Sequence, residues 1–226
     1  MAIVVENEYL LLYENDASPA ITITSATAGN LLVAGCSDRV DPGGAPTVPT
    51  GFTEIEGFDG TALDGSWAYK IAAGGETSLE FTGLGSGSDG MLVAIEVSGV
   101  AQTSPLEDND SDLTNANTAV NNQNSGSATA VQASGIAVAC FMKDNTGNMV
   151  ASRAVDNGFT LQTDAPPDLN TAAGSQLAWN IYSSAGAKTC NWSDSDTADE
   201  MIGFIAVFKA AAAGGYYGAL LLGGVG

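Results

Sequence analysis

Ser66-Trp67-Ala68-Tyr69-Lys70-Ile71-Ala72 is the stretch that decides the fold class. Its residues alternate, so that Trp67, Tyr69 and Ile71 fall on one face of an extended chain and Ser66, Ala68 and Lys70 on the other. Gly74-Gly75 follows, and then Thr77–Thr82, where Leu79 and Phe81 again share a face. Two alternating runs joined by a glycine pair read as a β-hairpin.

Outward from this segment the same grammar repeats. Short β-patterned runs lie near 20–24, 31–36, 52–56, 66–72, 77–82 and 90–97, and a second set near 127–132, 135–142, 158–163, 175–183, 186–192 and 200–208. Gly, Asn, Asp and Pro separate them, and helical periodicity is nearly absent. The terminal run of each set, 90–97 and 200–208, is apolar on nearly both faces, which suits a strand covered on two sides.

The two sets resemble each other. Leu32-Val33-Ala34-Gly35-Cys36 parallels Ile136-Ala137-Val138-Ala139-Cys140, and Gly51-Phe52-Thr53 parallels Gly158-Phe159-Thr160. Ala68–Ile71 matches Ala178–Ile181, while Met91, Ile95 and Val97 match Met201, Ile205 and Val207. The expectation is one antiparallel, jelly-roll-like β-sandwich over 20–210, built by internal duplication from half-repeats 20–99 and 127–209. Interleaved halves are favoured over two separate small sandwiches, because two halves share one core better. A polar loop, 100–126, joins them, with an N-terminal arm at 1–19 and an apolar C-terminal arm at 211–226.

Composition narrows the function. The chain has 226 residues, 26 acidic against 6 basic, and a net charge of −20. Phosphate contacts need clustered Lys and Arg, so nucleic acid is not an expected partner, nor is an anionic membrane surface. With no histidine, every His-based triad, general base and zinc site is excluded. The first residues lack the basic and apolar regions of a secretory signal, so no export address is expected. Cys36, Cys140 and Cys190 sit in apolar strands and read as buried thiols, with a Cys36–Cys140 bridge left open by their matching repeat positions.

Candidate chemistry is sparse. Gly85-Ser-Gly87-Ser-Asp-Gly90 fits a dinucleotide-binding pattern but precedes a strand, so it reads as a turn. Asp108-Asn-Asp110-Ser-Asp112 begins like a calcium loop, yet Leu113 and Ala119 stand where that loop needs glycine and glutamate. Asp194, Asp196, Asp199 and Glu200 make a second acidic loop. No cofactor is expected, and a loosely held calcium at these acidic loops stays open beside the plainer reading of solvated carboxylates. Glu54 and Glu56, two apart on a strand, would share a face as a carboxylate pair does in glycoside hydrolysis, but no second acid site accompanies them. Trp67, Tyr69, Trp179, Tyr182 and Trp192 could form a sugar-stacking platform, but Trp67, Tyr69 and Trp179 stand at inward-facing repeat positions and read as core. The chain is not expected to be an enzyme.

The termini are the apolar features left over. Tyr216, Tyr217, Leu220, Leu221 and Leu222 at one end and Tyr9, Leu10, Leu11, Leu12 and Tyr13 at the other are the candidate assembly contacts, with folding back onto the chain's own domain as an extra strand the other use of each run.

The order Gly29-Asn30-Leu31-Leu32-Val33-Ala34, Pro49-Thr-Gly51-Phe52-Thr53, Trp67-Ala-Tyr69-Lys70-Ile71-Ala72, Gly75-Glu76-Thr77 and the closing Gly203–Ala210 resembles a family of duplicated, jelly-roll-like β-sandwich proteins of tailed-phage virions and some bacterial surfaces. Phe52 and Phe159 stand where that family's pattern often has Trp. The likeness spans about 20–210 and rests on packing and turn signatures, so it carries over no catalytic residue. It implies a structural virion protein, a capsid decoration or accessory protein made in the host cytoplasm and carried on the virion surface. Its partners would be other virion subunits, the major capsid protein first, and its own copies in a closed oligomer such as a trimer. The rival expectations are a tail or fibre protein that binds host glycans and a secreted carbohydrate-binding module.

Overall fold

The computed structural model describes residues 2–39, 44–60, 62–85, 87–113, 120–144, 154–163, 173–198 and 201–212, with the backbone alone for 120–121 and 194–198. Every regular element among them is a strand: β1 (Val4–Glu14), β2 (Ala20–Thr22), β3 (Leu31–Arg39), β4 (Thr53–Asp59), β5 (Leu63–Ile71), β6 (Ser78–Glu80), β7 (Asp89–Ser98), β8 (Leu106–Asp112), β9 (Val120–Asn124), β10 (Ala128–Ala130), β11 (Gly135–Lys143), β12 (Ala154–Val155), β13 (Thr160–Leu161), β14 (Gly174–Tyr182), β15 (Gly186–Lys188), β16 (Asn191–Ala198) and β17 (Met201–Lys209).

Two five-stranded antiparallel sheets form the centre, one ordered β1-β7-β3-β5-β4 and the other β8-β17-β11-β14-β13. Leu31, Val33, Trp67, Val93 and Ile95 of the first face Ile136, Val138, Cys140, Phe204 and Phe208 of the second in a shared core. Trp67 stacks on Phe204 with ring centroids 5.8 Å apart, and Tyr69 meets Phe208 edge-on at 5.4 Å. The chain is therefore an all-β sandwich. The halves do not interleave as expected: apart from the edge strands β1 and β8, which come from 1–19 and 100–126, each supplies the strands of one sheet, and the core lies between them.

Each sheet is also covered on its outer face. The small β2-β6 sheet brings Ile21 and Leu79, with Phe81, onto Leu32, Ala34 and Cys36. On the other side, β10-β15 and the three-stranded β12-β16-β9 bring Ala128, Ala130 and Trp192 onto Ala137, Ala139 and Phe141. Double coverage explains why β3, β7, β11 and β17 read as continuous apolar runs: both of their faces are buried.

Several expectations need correcting. Ser66–Ala72 and Thr77–Thr82 are not a hairpin. β5 pairs with β3 and β4, whereas β6 pairs with β2 in the outer layer. The glycine pair makes a corner instead, where Gly75 N–H bonds back to the Ala26 carbonyl at 2.9 Å. Residues 1–19 are not a free arm, because Val4–Glu14 is β1, paired along its length with β7. The 100–126 connection contains β8 and β9, and β8 is an edge strand of the second sheet.

The repeat alignment slips by one residue in two strands. Met91 and Val97 face the central core, whereas Met201 and Val207 face the outer one. Cys36 likewise faces outward while Cys140 faces the centre. A one-residue shift exchanges the faces of a strand, so sequence likeness here paired residues from opposite sides. Strand pairing gives the matching positions directly: Val33 lies opposite Tyr69 as Val138 lies opposite Trp179.

Candidate functional site

The acidic run of β8 has a defined task. Asp110 Oδ2 accepts the Ser127 amide at 2.7 Å, Asp108 Oδ2 accepts the Thr129 amide at 2.7 Å, and Glu107 Oε2 accepts the Val131 amide at 3.1 Å. Thr129 is the middle residue of β10, which pairs with β15, and Ser127 and Val131 flank the strand on either side. Three carboxylates thus cap, one by one, the amides of a free strand edge. Charged side chains at an edge also discourage pairing with another chain. The stretch that starts like a calcium loop is a strand, and two of its carboxylates are engaged by backbone amides. Among the described residues no group of three or more Asp, Glu, Cys or His side chains is arranged to hold a metal. Asp199 and Glu200 of the second acidic loop lie outside the described residues, and Asp194 and Asp196 are placed by backbone only, in β16.

Glu54 and Glu56 do not share a face. A bulge at Ile55 sets Glu54 opposite Ala68 and Glu56 opposite Trp67, neighbours that point to opposite sides of the sheet. Burial, then Asp110 and Glu54, raises the Glu56 carboxyl above its ordinary value.

The aromatic residues are spent on packing. Trp67, Trp179, Tyr182 and Trp192 are buried, and Tyr69 is packed against the central core. They offer no stacking platform, which removes the residues on which a glycan-binding reading depended. The three cysteines are buried and free. Burial pushes each thiol up, Cys190 to about 12, where the Asp156 charge adds to the effect and the Asp156 backbone hydrogen bond opposes it, so all three stay protonated at neutral pH.

Two surface clefts occupy corresponding places on the two sheets. One, of about 320 Å³, lies around Phe52, Lys70 and Glu76; the other, of about 340 Å³, lies around Phe159, Asn180 and Lys188. Each sits beside a turn in which a phenylalanine amide reaches back three residues: Phe52 N–H to the Pro49 carbonyl and Phe159 N–H to the Asp156 carbonyl, both at 3.0 Å. Gly51 (φ 81°) and Gly158 (φ 76°) occupy the left-handed position these turns require. The polar groups in the clefts hold one another. Lys70 Nζ is 2.9 Å from Glu76, Asn180 Nδ2 donates to the Asn157 carbonyl at 2.9 Å, and Asn157 Nδ2 donates to the Thr189 carbonyl at 3.1 Å. The clefts therefore read as the outside of two turn clamps. Ser88 N–H likewise bonds back to the Gly85 carbonyl at 3.3 Å just ahead of β7, whose first residues are Asp89 and Gly90.

Of the candidate assembly contacts, Tyr9, Leu10, Leu11, Leu12 and Tyr13 are all in β1. Leu10 and Leu12 pack toward the central core and Tyr9 and Leu11 toward the outer one. Tyr13 is buried, its hydroxyl donating to the Ser37 carbonyl at 2.9 Å. Tyr216, Tyr217, Leu220, Leu221 and Leu222 lie outside the described residues.

The comparisons with known proteins return nothing: no family model, no curated protein and no solved structure matches this chain.

Proposed function

We propose that this chain is a structural virion protein of a tailed phage, a capsid decoration or accessory protein that acts by assembly and performs no reaction. The observation that supports this most is where the polar chemistry goes. Carboxylates that looked like ligands cap backbone amides, thiols are buried and protonated, and large aromatic rings fill cores. What results is a doubly covered, rigid block. The family likeness of its turn and strand signatures supplies the virion setting.

The same strand order in the two central sheets supports an origin by internal duplication, with β9, β12 and β16 as additions to the second half. The partner surface proposed is the major capsid protein, with a trimer as the closed oligomer and the virion surface as the location. Virions from a phage whose gene for this chain is deleted test the reading. Particles that still form and package DNA, lack one 22.7 kDa band and regain it on adding purified chain would support an accessory role. Intact, unchanged particles with no band missing would overturn it.

A further inference from the structure

We propose that the apolar groove between the start of β1 and the end of β14 is the seat of this chain's own segment Tyr216–Leu222. The groove measures about 370 Å³ and its walls include Ile3, Gly135, Ile181, Tyr182, Ala210 and Ala211. Among the described residues no charged one lines it. Ile181 is 50% exposed there and Val4, beside Ile3, is 44% exposed. Large apolar side chains left open in this way mark a surface that something covers.

The path of the chain says what covers it. Ala210 N–H bonds to the Ser134 carbonyl at 3.1 Å and Ala211 N–H to the Gly99 carbonyl at 2.8 Å, which fixes this stretch as one wall of the groove. The next residues are Ala212-Ala213-Gly214-Gly215 and then Tyr216-Tyr217-Gly218-Ala219-Leu220-Leu221-Leu222. A Gly-Gly pair is a reversal signal. The five steps from Ala211 to Tyr216 span at most about 17 Å, so a segment that starts at Tyr216 is within reach of the groove whose wall Ala211 forms. Closing so short a loop costs little entropy compared with recruiting a separate chain. From Ala210 onward the sequence carries no charge, matching the uncharged lining. This inference goes beyond the assembly role and does not depend on what the sandwich assembles with.

Paired cysteines in the full-length chain test it, since the native thiols are buried. Ile181→Cys with Leu220→Cys should form a disulfide within one chain under mild oxidation. Its yield should be at least tenfold that of Glu80→Cys with Leu220→Cys, which places the first thiol on β6 in the outer layer. Equal yields would overturn the proposal, as would a disulfide formed only between two chains, the sign of docking on a second copy. A full-length chain with Leu220, Leu221 and Leu222 changed to Ser should bind an apolar-surface dye severalfold more strongly at unchanged far-ultraviolet dichroism. Unchanged dye binding would likewise count against it.

Discussion

Val100 and Ala210, which follow β7 and β17, pair with each other in an antiparallel bridge that joins the two central sheets. Two hydrogen bonds flank it: Ala101 N–H to the Lys209 carbonyl at 3.0 Å and Ala211 N–H to the Gly99 carbonyl at 2.8 Å. The segments that leave β7 and β17 thus hold each other. Val100 stands three residues beyond the core-facing Val97, whereas Ala210 stands two beyond the core-facing Phe208. Gly99, at φ 79°, takes up that extra residue.

Gly99→Ala should therefore destabilise the protein by about 1–3 kcal/mol. A Cβ there is strained by the positive φ and overlaps the Ala2 carbonyl. Urea unfolding of the variant beside the parent measures it, and an unchanged midpoint would contradict the role given to Gly99.

Glu96 is a buried carboxylate with three donors. Oε1 accepts the Thr27 amide at 2.9 Å and Asn30 Nδ2 at 2.7 Å, and Oε2 accepts Asn7 Nδ2 at 2.9 Å, tying β1 to β7 and to the turn before β3. Glu96→Leu strands all three donors and should cost more than about 3 kcal/mol. Glu96→Gln should cost only about 1 kcal/mol, because the Asn7 amide can turn and present its oxygen. Equal losses in thermal unfolding would show that the hydrogen bonds do not set the order.

Glu76 supplies a pH dependence. Burial alone would raise its carboxyl, but Lys70 and the backbone amides of Ala73 and of Glu76 itself outweigh burial and bring it from 4.5 to about 2. The folded value lies below the unfolded one, so the stabilisation is present above about pH 4.5 and is lost as pH falls toward 2. Glu76→Gln should be less stable than the parent by about 1–2 kcal/mol at pH 7, allowing for solvent screening. That gap should close in acid, and a gap constant from pH 7 to pH 2 would refute the assignment.

The carboxylate caps on β10 are read by amide exchange. Replacing Asp108 and Asp110 together by Ala should speed exchange at Ser127 and Thr129 by tenfold or more, while amides of β11 keep their protection. Unaltered exchange at those two positions would mean that the caps hold nothing.

Strand content was legible in the sequence wherever burial is two-sided or strictly alternating, as in Leu31–Cys36 and Ser66–Ile71. Layer assignment was not. Nothing local tells Thr77–Thr82 to pair with β2 rather than with β5, because that choice is made by the outer core around Ile21 and Leu79. The β1 run was visible as apolar residues on both faces, a pattern shared by a docking arm and by an edge strand lying between two layers. β8 was hidden for the opposite reason: its Asp and Asn residues look like loop, and the backbone amides they cap leave no mark in sequence. The Gly-Phe-Thr runs at Phe52 and Phe159 were legible as matching positions, but the clefts beside them and the clamps that occupy those clefts depend on residues distant in the chain.

Where the chain sits on a particle tests the central claim most directly. Gold-tagged antibody against this protein, imaged on native virions, should label the surface of the head in many copies. Label confined to the tail, or particles that carry none, would contradict a capsid decoration protein.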